Sequence, residues 1–131
     1  MWKVSFVGEM TDIPAMTTPD LARVTGLWEA DLTRSRLIGP APRRILMKIA
    51  HAGDELKHAV LVTRDNGEDR RMVVAYQDIR SGDAGEVVIH MTHGAKVFRD
   101  YWSVSDDGQT LTMAHRDDDL AGQITVLQRR G

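Results

Sequence analysis

The stretch Gly26-Leu27-Trp28-Glu29-Ala30-Asp31-Leu32 decides the fold class, because apolar and acidic side chains alternate along it. In an extended chain, Trp28 and its second neighbours point to one side, and the acidic side chains point to the other. This period of two is typical of a β-strand with one buried face. We therefore predict a strand that begins at Gly26.

The same alternation recurs along the rest of the chain and predicts about eight strands. The predicted inward sets are, in chain order, Trp28, Ala30 and Leu32; Ile45, Met47 and Ile49; Leu56, His58, Val60 and Val62; Met72, Val74 and Tyr76; Val87, Ile89 and Met91; Phe98, Trp102 and Val104; Leu111, Met113 and His115; and Ile124 and Val126. Turn residues such as Asp65-Asn66-Gly67 and Asp106-Asp107-Gly108 separate these sets and favour tight hairpins. An antiparallel meander of this size removes its edges by closing, so we predict an all-β, up-and-down closed barrel.

A short helix precedes the predicted barrel. Thr18-Pro19-Asp20-Leu21 is typical of a helix start, with Thr18 as the N-cap and Pro19 in the first turn. Gly26 leaves this helix room only for residues 19–24. We predict a partly ordered leader over residues 1–17 and a single barrel domain over residues 18–131.

Composition excludes several classes of protein. The chain has 131 residues, with 42% apolar and 27% charged side chains and a formal net charge of −2, which is a globular balance. Its arginine pairs are isolated, which argues against nucleic-acid binding. The absence of cysteine excludes disulfides, thiolate metal sites and a cysteine nucleophile, and it fits a reducing compartment.

The N-terminal ten residues carry no recognisable targeting signal. Their apolar stretch is short and is broken by Ser5, Gly8 and Glu9. Nothing in the chain approaches the apolar length of a membrane span. We therefore predict a cytoplasmic protein.

Thr25-Gly26-Leu27-Trp28 places a Gly-x-Trp at the head of the first strand, after a short helix, and Arg129-Arg130 ends the last strand. This arrangement resembles the calycin (lipocalin-like) superfamily. In that family a first-strand Trp closes one end of the barrel, and an Arg of the last strand packs across it. The resemblance implies that Trp28 and Arg129 form the closure, held by a cation–π contact.

Two further segments resemble small bacterial lipocalin-like proteins that have no settled activity. The first is Gly26 to Arg36, which is similar to their Gly-x-Trp…Lys-Ser opening. The second is Ser103 to Thr112, which is similar to their Ser-x-Asp-Gly-x-Thr-Leu-Thr hairpin. The chain departs from these proteins around Ile79 to Gly85, where their Asp-Gly turn is replaced. This resemblance implies a fold and little about function.

Four polar residues fall on the inward phase of their strands: Asp100, His58, His115 and Tyr76. A carboxylate that faces an apolar interior is costly unless it is paired. We predict these four as the catalytic or ligand-orienting group, with perturbed pKa values. Two other interpretations stay open, namely an internal polar network satisfied by its neighbours and a one-residue register shift that turns Asp100 outward.

The remaining inward positions predict an apolar lining that binds a ligand: Met47, Val60, Met72, Met91, Phe98, Trp102 and Met113. No metal site is predicted, because a strand would separate the rings of His90 and His93. No cofactor motif is present, since the chain has neither Gly-x-Gly-x-x-Gly nor a P-loop.

Three functions remain compatible with this pattern. The first is binding of an apolar or amphipathic small organic molecule in the barrel, which we favour. The second is a cofactor-free enzyme, such as a cyclase or isomerase of natural-product metabolism, that folds its substrate with acid–base help. The third is a barrel with a filled core that acts through its surface. Whether the protein is an enzyme and whether it forms a homodimer stay open.

Overall fold

A computed structural model describes residues 20–53, 55–82, 85–116 and 122–130, which form a single antiparallel sheet. Its nine strands are β1 (Gly26–Ala30), β2 (Arg44–Ala52), β3 (Glu55–Thr63), β4 (Asp69–Tyr76), β5 (Ile79–Ser81), β6 (Val87–His93), β7 (Lys96–Val104), β8 (Thr110–Arg116) and β9 (Gln123–Arg129). Among the described residues, no helix is long and apolar enough to cross a membrane. The all-β prediction is confirmed.

The predicted N-terminal helix is wrong. The described chain has only a 3-10 turn there, Leu21–Val24. Thr25 is already extended, with φ −72° and ψ 148°, so the segment is too short for an α-helix to propagate. The predicted cap Thr18 and the leader over residues 1–17 lie outside the described residues.

One side of the sheet, which we call the concave face, carries Trp28 and its cross-strand partners. Directly opposed residues in antiparallel strands point to the same side. The register links Trp28 to Met47, Val60 and Met72 across β2, β3 and β4, and to Arg129 in β9. The predicted inward sets of β2 to β4 and β6 to β8 follow this phase.

The predicted phase of the last strand is wrong by one residue. Thr125 and Leu127 lie opposite Met113 and Leu111 on the concave face, so Ile124 and Val126 point to the other face. Val126 is nevertheless buried. Apolar side chains therefore occupy both faces of β9, so alternation alone does not give its inward phase.

The prediction of a closed, eight-stranded barrel is also wrong. The nine strands follow the order β4-β3-β2-β1-β9-β8-β7-β6-β5, and the result is a curled half-barrel that is open between its end strands. The alternation predicted β4 through Met72, Val74 and Tyr76 but gave no counterpart for β5. Tyr76, the last residue of β4, pairs with β3, whereas the carbonyl of Asp78 accepts the N–H of His90 in β6 at 2.9 Å.

An extra residue explains this change of partner. Tyr76 shares its face with Leu56, and Ile79 shares its face with Ile89, so both point to the concave side although they lie three positions apart. Strict alternation would place them on opposite faces. One additional residue bends the strand, as in a β-bulge, and the chain leaves β3 for β6.

Beyond this change of partner, strand β5 has only three residues. It pairs with the first part of β6, Val87 to Ile89, and then ends in the turn that contains Gly85, where φ is +82°. We call the bend between Tyr76 and Ile79 the corner between β4 and β5. Beyond this corner, the later part of β6 and the outer edge of β4 diverge. We call the gap between them the seam. It begins beside the region in which the sequence departs from the lipocalin-like proteins.

The core fills the end of the half-barrel next to the 3-10 turn. Its largest fully buried side chains are Trp28, Trp102, Ile49, Leu56, Ile89, Leu111, Leu127 and Val24. These residues come from the turn and from strands in both halves of the strand order. The curl of the sheet therefore brings distant strands together.

Candidate functional site

Trp28 and Arg129 form the predicted closing contact at the filled end. The guanidinium carbon of Arg129 lies 4.2 Å from the centroid of the fully buried Trp28 ring. Arg129 also donates hydrogen bonds to the carbonyls of Gly108, Thr25 and Arg23, at 2.8, 2.8 and 3.0 Å. The contact therefore combines a cation–π interaction with a fixed guanidinium, and its role is to hold the fold.

His58 and Tyr76 form a buried polar pair on the concave face, which we call the inner pair. The ring Nδ1 of His58 lies 3.0 Å from the Tyr76 hydroxyl, and its Nε2 lies 3.1 Å from the sulfur of Met47. Both side chains are buried. The edge of Trp102 packs against both rings, with centroid distances of 5.1 Å to His58 and 5.9 Å to Tyr76.

Burial determines the protonation state of this inner pair. Desolvation lowers the pKa of His58 from 6.5 to about 4. Desolvation, together with the nearby charge of Asp100, raises the pKa of Tyr76 to about 12. At neutral pH both groups are therefore uncharged. Because the sulfur of Met47 can only accept a hydrogen bond, we assign the imidazole proton to Nε2, and Nδ1 then accepts the hydrogen bond that the Tyr76 hydroxyl donates.

Asp100 and His115 form an outer polar pair on neighbouring strands. They lie directly opposite in the β7–β8 register, and Nδ1 of His115 hydrogen-bonds to one carboxylate oxygen of Asp100. The other carboxylate oxygen accepts the Trp102 indole N–H at 3.4 Å. The His115 ring also stacks on Phe98, with centroids 6.0 Å apart. Both members are half-buried.

The structure thus separates the four predicted catalytic residues into two pairs that share Trp102. The inner pair is satisfied within the protein, because His58 has a partner at each ring nitrogen. The outer pair keeps partial solvent access and joins a carboxylate to an imidazole, which is an arrangement able to accept and return a proton. Asp100 points inward, so the predicted alternative of an outward Asp100 is wrong.

A cleft with a volume of about 480 Å³ opens at the seam, close to the corner between β4 and β5. It is lined by residues of β4, β6 and β7 and of the corner itself: Val74, Ala75, Tyr76, Gln77, His90, Met91, Thr92 and Phe98. Its walls combine apolar side chains with hydroxyl, amide and imidazole groups. This composition suits a molecule with an apolar body and a polar end.

The predicted apolar lining is divided between the core and the open surfaces. Met47, Trp102 and Met113 are buried in the core, and Val60 packs beside it. Met91 and Phe98 line the cleft.

Met72 differs most from its prediction, because its side chain is 55% exposed. It has the predicted concave phase, but β4 is an edge strand. Met72 instead borders a second open groove, with a volume of about 680 Å³, between Pro40–Pro42 and the β3–β4 hairpin.

Sequence reasoning missed several residues of the cleft. Val74 has the same phase as Tyr76, so the alternation already carried its signal. Gln77, His90 and Thr92 have no such signal. They reach the cleft only because the strand bends at the corner and leaves the edge of β6 uncovered.

No group of three or more His, Asp or Glu side chains within the described ranges is arranged to hold a metal ion. The comparisons with known proteins add no assignment to this geometry. The sequence matches no protein-family model and no curated protein, so the calycin resemblance stays a prediction from the residues quoted above.

Proposed function

We propose that this protein is a calycin-like binding protein that holds an apolar or amphipathic small organic molecule in the cleft at its seam. The observation that carries the proposal is the convergence of Met91 and Phe98 with Tyr76 in a cleft of about 480 Å³. Small-molecule sites typically have volumes of ~300–1,000 Å³ and a few polar groups among apolar walls. The closing contact between Trp28 and Arg129 supports the calycin assignment.

The protonation states indicate which polar end would fit. The Tyr76 hydroxyl already donates its proton to His58, so its oxygen is left to accept a hydrogen bond. The Asp100 carboxylate, beside the cleft residue Phe98 on the same face, is also an acceptor. A ligand whose polar end donates hydrogen bonds, such as a hydroxyl or an ammonium group, therefore complements these oxygens. The apolar body would lie against Met91 and Phe98.

The dye Nile red tests the apolar part of this proposal, because its fluorescence rises when it leaves water. We expect the whole chain to bind Nile red and Phe98→Ser to weaken binding by about tenfold, which is the effect of losing ~1.4 kcal/mol of contact. The matched control is Val97→Ser. Val97 is the preceding residue of β7, lies on the opposite face and is 56% exposed.

Two results would contradict binding at the seam. One is the absence of any dye response, which would favour a filled-core protein that acts through its surface. The other is an equal loss of affinity in Phe98→Ser and Val97→Ser. That outcome would show that the dye binds elsewhere on the protein.

The Asp100–His115 pair favours a second candidate, a cofactor-free cyclase or isomerase. A carboxylate bonded to an imidazole can move a proton while the cleft holds a substrate in its reactive conformation. Once a bound compound is identified, Asp100→Asn separates the two functions. A lost single-turnover rate with an unchanged dissociation constant supports the enzyme, and a weakened affinity without any turnover supports the binding protein.

A further inference from the structure

Strands β6 to β9 carry basic side chains and no acidic ones on the face opposite the concave face, which we call the convex face. Convex positions alternate with concave ones along these strands, and within the described strands none of the convex positions is Asp or Glu. The basic residues of this set are His90, Arg99 and Arg116. An anion at this part of the sheet therefore meets only positive or neutral strand side chains.

The three basic residues lie in one row across β6, β7 and β8. The register places Arg99 opposite His90 on one side and opposite Arg116 on the other. The Cβ atoms of directly opposed residues lie only about 4.5–5.5 Å apart, and like charges in such a pair destabilise it. Arg99 and Arg116 are exposed, and neither forms an ion pair with another described residue. An anion between their guanidinium groups would offset this repulsion.

Tyr101 holds one of the two guanidinium groups in place. The guanidinium carbon of Arg116 lies 4.9 Å from the centroid of the Tyr101 ring. Tyr101 is the next convex residue after Arg99 on β7, so the stacked group stays close to Arg99. Stacking occupies the flat face of a guanidinium and leaves the N–H donors at its rim free. These donors can bind an oxyanion through two parallel hydrogen bonds.

Asp78 brings a carboxylate to the β6 end of the row. Its carbonyl accepts the N–H of His90 at 2.9 Å. Its two carboxylate oxygens accept hydrogen bonds from the Arg80 guanidinium at 3.0 and 3.2 Å. The hydrogen bond from Arg80 lowers the pKa of Asp78 most, and the charge of His90 also lowers it. Asp78 therefore balances Arg80 and His90, and the charges of Arg99 and Arg116 stay uncompensated.

Arg36 adds a third guanidinium at the β9 end of the row. Arg36 lies opposite Ile124, and its Nε donates to the carbonyl of Gly122 at 3.2 Å. Ile124 belongs to the convex face, so Arg36 shares that face. Positive charge therefore continues across β9.

We propose that Arg99 and Arg116 bind a phosphate group on the convex face, with Arg36 beside them. A phosphate monoester carries a charge of about −1.5 to −2 at neutral pH and three acceptor oxygens, so it can bond to both guanidinium groups at once. A carboxylate has one charge and two oxygens, which a single guanidinium satisfies. Because convex and concave side chains point to opposite sides of the sheet, this site does not depend on a ligand held against Phe98 and Tyr76.

An apolar strip beside the row suits the organic part of a phosphate ester. Tyr101, Ala114 and Ile124 lie opposite one another along β7, β8 and β9, and all three are half-buried. Inorganic phosphate would use the arginines alone, whereas a phosphate ester would add contacts to this strip. The two sources share the phosphate chemistry and differ in affinity.

Titration of the whole chain with inorganic phosphate and with phenyl phosphate, each at constant ionic strength set by sodium chloride, tests the proposal. We expect saturable binding that weakens by at least about tenfold in Arg99→Gln and in Arg116→Gln. Arg71→Gln is the matched control, because it removes the same charge from an exposed convex position of β4 and should bind like the wild type. The whole chain retains the acidic run Asp117 to Asp119, which follows Arg116 and lies outside the described residues, so the measured affinity includes any competition from it.

NMR of the arginine side chains in the wild type gives a second measurement. The Nε–H resonances of Arg99 and Arg116 should shift along the binding curve with phosphate and stay unchanged with chloride. Tighter binding of phenyl phosphate at these groups identifies an ester as the source, and tighter binding of inorganic phosphate identifies the free ion.

Three results would overturn the proposal. One is the absence of saturable binding of either probe. Another is an equal loss of affinity in Arg71→Gln, which would show only a general attraction of anions to positive charge. The third is binding that leaves the Nε–H resonances of Arg99 and Arg116 unchanged, since the phosphate would then lie elsewhere. Nile red binding in Arg99→Gln should match the wild type, so this proposal and binding at the seam can fail separately.

Discussion

The buried imidazole of His58 makes stability depend on pH in a way that a single substitution can isolate. In the unfolded chain a histidine binds its proton near pKa 6.5, but in the folded protein desolvation lowers the pKa of His58 to about 4. As the pH falls below 6.5, the unfolded chain therefore takes up a proton that the native protein excludes. The free energy of unfolding falls towards pH 4 and then levels off.

The size of this effect follows from the two pKa values. Between pH 7 and pH 4.5 the difference in proton binding lowers the free energy of unfolding by about 2 kcal/mol. His58→Gln removes the titrating group, so this variant should lose about 2 kcal/mol less than the wild type over the same interval. Carboxylates that titrate in this range contribute equally to both proteins and cancel in the comparison.

Urea denaturation at the two pH values measures the effect. His51→Gln is the matched control, because it removes an exposed histidine from the neighbouring strand β2. We expect the control to show the pH dependence of the wild type. If His58→Gln and His51→Gln lose the same stability between the two pH values, His58 is not held neutral by burial and the assignment of the inner pair fails.

Three further substitutions test other contacts and turns of the fold. Trp28→Ala should lower the free energy of unfolding by about 3–5 kcal/mol, because it empties a fully buried ring site. A loss below about 1 kcal/mol in urea denaturation would show that Trp28 does not hold the filled end together. Tyr76→Phe should lower the free energy of unfolding by about 1–3 kcal/mol, since it leaves the buried His58 Nδ1 without its donor. An unchanged free energy of unfolding would refute that hydrogen bond. Gly108→Ala should cost about 1–2 kcal/mol, because its φ of +76° lies in the left-handed region, and a neutral result would exclude that turn geometry.

Much of the sheet could be predicted because side-chain alternation is a local property. Trp28 and Met47 share a face through positions that are read directly from their own strands. The contact of Trp28 with Arg129 was predictable for a different reason, since a family pattern links the two ends of the chain. Neither inference required any knowledge of how far the sheet curls.

The opening of the barrel could not be predicted in this way. It depends on one extra residue between Tyr76 and Ile79, and strand prediction from alternation treats such a shift as the end of a strand or as noise. The pattern also gave no prediction for β5. Only the change of hydrogen-bonding partner, from β3 to β6, shows that the chain turns a corner there.

The sequence predicted the inward phase of the four polar residues but not how they are arranged. His58 and Asp100 both have the inward phase, but β3 and β7 are far apart in the order of the sheet. Whether they form one cluster or two pairs depends on the curl and on the position of Trp102 between them. Local patterns contain no information on that distance, so the division into an inner and an outer pair emerged only from the structure.

The corner between β4 and β5 is the structural origin of the cleft. Because the strand leaves β3 for β6 after Tyr76, the edges of β4 and β6 separate and leave the cleft between them. The same divergence leaves the outer edge of β4 without a neighbouring strand in the described sheet. A regular strand at this place would fill the seam, remove the cleft and satisfy the edge of β4 together. The side chains of Val74 and Tyr76 therefore line the cleft because the strand bends directly after them.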